Sequence, residues 1–256
     1  MVLNRFRGFA ETLSRGPVNF FVRHNITPNK LTLIGFGITL VVTCLFWIRI
    51  LQIASIHWLI ALLFFIAGAF DAFDGSVARK MNLVTKYGGF LDSTLDRYSD
   101  AILILGMIAG GYFDGNNYWI PGVALGQGFG IYFGFWAMVS ALLISYIRSA
   151  AEKGGVDMKG VGFMERGERI LLIFVGTLIY GWIEIGYGFT EIGGFTEIGI
   201  RIANDFFFWF LIVFTILMDV TIVERVVFAV QNLRRIDHGL PPLTKQEKQT
   251  ADAPQR

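Results

Sequence analysis

Four aspartates carry the densest concentration of reactive groups in this chain. They lie in the stretch Asp71 to Asp96, DAFDGSVARKMNLVTKYGGFLDSTLD, with Asp71 and Asp74 three positions apart and Asp92 and Asp96 four apart. On helices, those spacings put each pair on one face with β-carbons about 5–6 Å apart. Two such helices side by side bring four carboxylates to one contact. Carboxylates so clustered repel one another unless a cation lies among them, and an all-oxygen donor set suits Mg²⁺ or Mn²⁺ rather than zinc. Between the pairs, Gly75 and Ala78 leave the backbone open to a bulky ligand, Arg79 offers a phosphate clamp, and Gly88 and Gly89 supply further room at the next turn. Metal, guanidinium and open backbone together suggest a pyrophosphate. Taken singly, an Asp-x-x-Asp is more often a solvated face or a cap, and Arg79 with Lys80 at a helix end is more often a membrane-interface anchor. The joint pattern is what argues for chemistry.

That joint pattern is specific. Asp71, Asp74, Gly75, Ala78, Arg79, Gly88, Asp92 and Asp96 follow D-x-x-D-G-x-x-A-R-x8-G-x-x-x-D-x-x-x-D, and the chain thereby resembles the CDP-alcohol phosphotransferase family residue for residue. The resemblance implies that Asp71, Asp74, Asp92 and Asp96 hold the metal, Mg²⁺ or Mn²⁺ with two ions per site, and that Asp96 is also the general base. It implies that Asp74, Gly75, Ala78, Arg79 and Gly88 line the CDP moiety. Pro28, Asn29 and Thr32 resemble the family's Pro-Asn-x-x-Thr element beside the nucleotide's phosphates, although a plain capped helix start, with Thr27 or Asn29 as cap and Pro28 in the first turn, would explain those residues alone. The reaction implied is attack of an alcohol on the lipid-side phosphate of a CDP-activated lipid, CDP-diacylglycerol or CDP-archaeol, with release of CMP and no covalent enzyme intermediate. A homodimer is implied as well.

A second set of residues bears on the acceptor. Arg148, in Ser145-Tyr146-Ile147-Arg148, ends one apolar run, and Arg166 and Arg169, in Gly162-Phe-Met-Glu-Arg-Gly-Glu-Arg169, open the next, so all three can face the cavity that holds Asp96. They could bind a second phosphate, or they could be interface anchors with Glu165 and Arg169 forming an i,i+4 pair. The runs LDSTLDRYSD, SYIRSAAE and GFMERGERI resemble the branch of the family that makes phosphatidylinositol phosphate, or its archaeal ether-lipid counterpart, from inositol 1-phosphate. That branch usually has a proline where this chain has Gly167. Glycerol 3-phosphate, giving phosphatidylglycerol phosphate, is the alternative acceptor. A cation transporter is the alternative of another class, but it expects carboxylates at mid-bilayer in broken helices, and Arg79 would repel the cargo.

The elements that position these groups can be read from the apolar runs. Hydrophobic residues make up 54% of the chain, charged residues 16%, and mean hydropathy is +0.56, the composition of an integral membrane protein. A single cysteine, Cys44, excludes a disulfide framework, and His24, His57 and His238 offer no zinc spacing. Nothing in the pattern calls for nucleic acid. Against the roughly 20 residues a bilayer needs, six spans emerge: Leu31–Ile48, Ile53–Phe70, Gly89–Phe113, Tyr118–Ile147, Arg169–Ile183 and Phe206–Val230. The fourth run is overlong, so Pro121 and Gly122 mark a bent or interfacial lead-in. The expectation is an all-α membrane protein of six transmembrane helices, residues 25–231, preceded by an interfacial amphipathic helix over residues 1–24 that carries Arg5, Arg7, Arg15 and Arg23, and followed by a disordered tail over 232–256. No small-residue cleavage site follows the first segment, so it does not read as a signal peptide. Lys and Arg crowd the first segment, the 76–87 and 148–169 connections and the tail, whereas 184–205 is mostly acidic; both termini and the aspartates are expected on the cytoplasmic side of the cytoplasmic membrane. Asp100 is expected to pair with an arginine rather than to touch the acceptor's hydroxyls. Asp219 is expected to make a hydrogen bond between helices. The near-repeat at 189–199 is expected to be an interfacial hairpin or a lateral helix without chemistry.

Overall fold

Every expected apolar run forms a helix, but the helices overrun the runs wherever polar residues find partners. The computed structural model describes residues 15–48, 56–113, 119–120, 123–124, 129–188 and 197–243. Within them lie α1 (residues 15–23), α2 (Pro28–Trp47), α3 (Ile56–Lys80), α4 (Lys86–Ala109), α5 (Phe129–Lys153), α6 (Arg166–Gly188) and α7 (Glu197–Asp237). The one departure from an all-α chain is a two-residue antiparallel pair, β1 (Trp119–Ile120) with β2 (Val123–Ala124), ahead of α5. It occupies part of the expected lead-in. Residues 1–14 of the expected amphipathic helix, most of the 189–199 repeat and residues 244–256 of the expected tail lie outside the described residues.

Helices α2, α3, α5 and α7 are long and apolar enough to cross a membrane. Helices α4 and α6 are of similar length, 24 and 23 residues, but carry Asp92, Asp96, Arg97 and Asp100, and Glu168, Arg169 and Glu184 respectively. Four spans are therefore evident from composition where six were expected, because the other two helices are the ones that carry the polar groups. Helix α7, with 41 residues, is about 60 Å long at 1.5 Å per residue. It outreaches a bilayer core and continues to Asp237, five residues beyond the expected start of the tail at 232. The buried Asn232 explains the continuation: its amide donates to Phe228 O (3.0 Å) and its carbonyl accepts from Leu243 N (2.6 Å).

Two turns orient the site. Helix α1 ends at Asn25 in the left-handed region (φ 52°), with Ile26 N donating to Phe21 O at 3.0 Å. Helix α3 ends the same way at Asn82 (φ 54°), with Leu83 N donating to Ala78 O at 2.9 Å. Asn tolerates this conformation better than most residues. Thr85 then caps α4, its hydroxyl accepting from Gly88 N at 3.0 Å. This short reversal keeps the start of α4 close to the end of α3.

Helix α2 is the post against which both pack. A β-carbon at Gly35 would sit 3.3 Å from Phe70 Cβ, and one at Gly106 would sit 2.7 Å from Thr43 O, so glycine is what lets α3 and α4 approach. Helix α6 packs on α3 and α7, and α5 on α4 and α7, around a core that includes Phe46, Ile60, Phe64, Met107, Ile144, Phe207 and Met218. Near the start of α3, about 21 Å along the helix from Asp71, His57 is buried between Glu184 of α6 (2.9 Å) and the Tyr112 hydroxyl (2.6 Å). This joins three elements at the end remote from the aspartates.

Candidate active site

The turn between α3 and α4 brings the two aspartate pairs together. One carboxylate oxygen each from Asp71, Asp74 and Asp92 lies within 4.8 Å of the others, the spacing of donors around a single small cation. Asp74 is buried and its Oδ2 accepts from the Thr32 hydroxyl at 2.7 Å. Thr32 thus aims one carboxylate from α2. All donors are hard oxygens, so the set fits Mg²⁺ or Mn²⁺.

Asp96 stands apart from this triad. Its Oδ1 lies 2.9 Å from Arg166 Nη1, and the same nitrogen is 2.6 Å from Asp71 Oδ1, so one guanidinium bridges α3 and α4 from the start of α6. Arg169 Nη2 holds Asp100 Oδ2 at 3.1 Å, and Arg166 Nε is 4.0 Å from Asp100 Oδ1. The expected Asp100–arginine pairing is present. Burial by itself favours loss of the Arg166 proton, but Asp71, Asp96 and Asp100 outweigh it and hold the guanidinium above its ordinary pKa.

Two cavities meet at this bridge. A small one of about 40 Å³ is bordered by Thr32, Asp71, Asp96, Asp100, Arg166 and Arg169 together with apolar Phe36, Phe64 and Leu103. The larger, about 420 Å³, is lined by Arg97, Arg148, Arg166, Arg169 and Arg225 with Ser93, Ser145 and Ser149, and reaches Asp96. Arg148, Arg166 and Arg169 therefore do face one cavity with Asp96. Arg148 also pairs with Glu152 at 2.9 Å. Glu165 does not pair with Arg169 as i,i+4 spacing allowed; it accepts from Gly160 N at 3.1 Å and lies 3.9 Å from Arg225.

The nucleotide-side residues fall around the same turn. Asn29 on α2 faces the start of α4, since a β-carbon at Gly88 would lie 3.2 Å from Asn29 Oδ1 and 3.1 Å from Thr85 Oγ1. Pro28 opens α2, and Pro28 O accepts from the Thr32 hydroxyl at 3.2 Å. Arg79 is exposed at the end of α3, its Nη2 donating to Ser76 Oγ at 3.3 Å, and the nearest side-chain atom to a β-carbon placed on Gly75 is Arg79 Nη1 at 3.7 Å. Ala78 lies one turn from the reversal at Asn82.

Sequence reasoning passed over Arg225. It is 2% exposed inside α7, and it donates to Ile144 O (2.7 Å) and Val161 O (2.8 Å), fastening α5 and the 154–165 connection at the cavity wall. Its signal was present: an arginine within a long apolar helix needs polar partners. Asp219 in the same helix accepts from Ser140 Oγ at 2.6 Å and Trp136 Nε1 at 2.9 Å, the expected bond between helices.

The family profile described as CDP-alcohol phosphatidyltransferase matches residues 25–231. Among relatives, archaetidylinositol phosphate synthase from Pyrococcus horikoshii is 36% identical over 63% of this chain and 73% of its own length. Phosphatidylinositol phosphate synthase from Corynebacterium glutamicum is 28% identical over 93% of this chain and 89% of its own. The crystal structure of Mycobacterium tuberculosis phosphatidylinositol phosphate synthase with CDP-DAG bound shares the fold, with a TM-score of 0.58 at 22% identity over 85% of this chain and 94% of that one. A second structure of that enzyme, in complex with manganese and citrate, superposes with the same TM-score, 0.58, and covers 84% and 88% of the two chains.

Proposed function

The chain belongs to the CDP-alcohol phosphatidyltransferase family, and on that premise we propose that it transfers the phosphatidyl or archaetidyl group of a CDP-activated lipid to a hydroxyl of inositol 1-phosphate, releasing CMP. The observation that carries the acceptor is the arginine-lined cavity of about 420 Å³ that opens beside Asp96. A phosphorylated polyol suits it: guanidinia take the phosphate in charge-assisted pairs, and the serines can meet hydroxyls.

Asp71, Asp74 and Asp92 would hold the divalent cation, with Asp96 joining them. When bound, such a cation neutralises negative charge on the transferring phosphates and polarises the phosphorus–oxygen bond to be broken. Asp96 takes the proton of the acceptor hydroxyl as its oxygen bonds to the lipid-side phosphorus; the bond from that phosphorus to the bridging oxygen breaks, and CMP leaves. Thr32 orients Asp74, and Arg79 with the open backbone at Gly75, Ala78 and Gly88 receives the CDP moiety beside Pro28 and Asn29. Arg148, Arg166 and Arg169 bind the acceptor's phosphate. Mg²⁺ or Mn²⁺ suits the hard carboxylate set, and the mycobacterial neighbour was solved with manganese; two ions per site are proposed from the family resemblance alone.

The protein is an integral membrane protein. In the proposed topology α2 to α7 all cross, with α4 and the start of α6 turning their charges toward the site and Glu184 paired with His57 at the far end, and the active site and both termini face the cytoplasm. We further propose a homodimer. A particle mass of one chain in several mild detergents would count against it.

The deciding assay is CMP release by the purified protein with Mg²⁺ and CDP-diacylglycerol, offering inositol 1-phosphate, inositol, glycerol 3-phosphate or serine. Release with inositol 1-phosphate alone is expected. Release with glycerol 3-phosphate instead would retain the aspartate chemistry and overturn the acceptor; the same panel with CDP-archaeol decides the lipid.

A further inference from the structure

Arg166 belongs to two sites at once. Its Nη1 is shared between Asp71 (2.6 Å) and Asp96 (2.9 Å), while the residue also lines the arginine-rich cavity on its other side. Its Nε is buried without a hydrogen-bond partner among the described residues, so the guanidinium has donor capacity that its present position leaves unused.

Charge explains why the side chain rests on the aspartates. Asp71, Asp74, Asp92 and Asp96 bring four formal negative charges to the turn between α3 and α4. Carboxylates this close demand a counter-cation, and a guanidinium is well suited to serve two of them. A divalent cation held by Asp71, Asp74 and Asp92 would compete with the guanidinium for the charge of Asp71.

Resting on the metal-dependent reading above, we propose that Arg166 is a resident counter-cation that exchanges with the divalent metal, so that metal loading releases it to the acceptor's phosphate and couples the two binding events. Arg166 yields Asp71 and Asp96, turns into the arginine-lined cavity and adds a donor to the acceptor site. The coupling is reciprocal: an acceptor phosphate that draws Arg166 into the cavity tightens metal binding by the same factor. Arg166 is thus a positioning residue for the metal as well as a ligand of the acceptor.

The test is Mn²⁺ binding to the purified full chain without nucleotide, read from the electron paramagnetic resonance signal of free Mn²⁺. Arg166→Gln is expected to tighten Mn²⁺ about tenfold, within the usual range of coupling. Arg148→Gln, which removes a cation that lines the same cavity but pairs with Glu152, is expected to change it less than about twofold. Arg166→Lys keeps the charge but not the two-carboxylate bridge, and is expected to tighten Mn²⁺ by about threefold; it stands in should the glutamine variant fail to fold. Adding inositol 1-phosphate is expected to tighten Mn²⁺ on the unaltered protein and not on Arg166→Gln. Equal affinities across the unaltered protein and both Arg166 variants, or equal gains for Arg166→Gln and Arg148→Gln, would overturn the exchange while leaving the metal site standing. No Mn²⁺ binding to any of them would overturn the metal reading and the exchange with it.

Discussion

At the scale of single residues, position relative to the turn between α3 and α4 separates the aspartates into roles. Asp71, Asp74 and Asp92 converge closely enough to share a cation, whereas Asp96 is held by Arg166 at the border of the arginine-lined cavity. In the proposed reaction that placement suits a proton acceptor, because the acceptor hydroxyl would enter from the cavity that Asp96 borders. Asp96→Asn removes the basic oxygen while keeping shape and hydrogen bonding. Turnover is expected to fall by about a hundredfold or more, with CDP-lipid binding within about twofold. Single-turnover CMP release and CDP-lipid titration on the same preparation separate these outcomes, and near-normal turnover would remove Asp96 from the base role. Arg169 offers a companion measurement: its pair with Asp100 places its charge in the acceptor cavity. Arg169→Gln should raise the KM for inositol 1-phosphate about tenfold or more, as loss of one charge-assisted contact implies, and leave that for the CDP-lipid largely unchanged.

At the scale of elements, the site is assembled from helix ends held by contacts between the elements themselves. Thr85 starts α4, Asn82 ends α3, and Gly35 and Gly106 set how closely both lie on α2. Arg225 does the same for the other wall. It reaches from α7 to the carbonyls of Ile144 and Val161, and Thr221 one turn away accepts from Met164 N at 3.0 Å, so the connection that delivers Arg166 is tied to α7 at two points just before α6. Arg225→Leu strands two buried carbonyls and is expected to cost about 3 kcal/mol. Thermal unfolding in detergent should show a fall of about 5–10 °C, and the KM for inositol 1-phosphate should rise with it. An unchanged melting point would mean that water replaces the guanidinium there.

At the scale of the whole molecule, the ends of the bundle differ in chemistry. One end gathers the aspartates, the arginine-lined cavity and the basic connections; the other holds the buried His57–Glu184–Tyr112 group. Soluble CMP and acceptor must reach the first end. With α2 to α7 all crossing, α1, the 154–165 connection and the end of α7 share one face of the membrane. In a Cys44→Ser background, single cysteines at Glu152 and His238 are expected to react with an impermeant maleimide only when the cytoplasmic face is accessible. Labelling of the two from opposite faces would break the six-span topology.

Much of this was legible in the sequence, and for identifiable reasons. Helix content followed from uncharged runs of bilayer length, and the pairing of the aspartates from spacing, because regular helices convert positions into faces without help from the rest of the fold; Pro28, Asn29, Thr32 and Gly88 were singled out by the family resemblance. The pairing of Asp100 and the bond made by Asp219 followed from the cost of leaving a charge in apolar surroundings. Helix ends were less legible: α7 persists past residue 232 because Asn232 and Leu243 find each other, a contact visible only in three dimensions. Which carboxylate meets which guanidinium was decided by tertiary structure alone. Asp71 and Arg166 are far apart in sequence and lie on helices whose relative height and rotation depend on how the bundle packs. A local pattern could name both residues and their charges, but Arg166 reaches Asp71 and Asp96 together only because α6 docks on α3 beside the turn into α4.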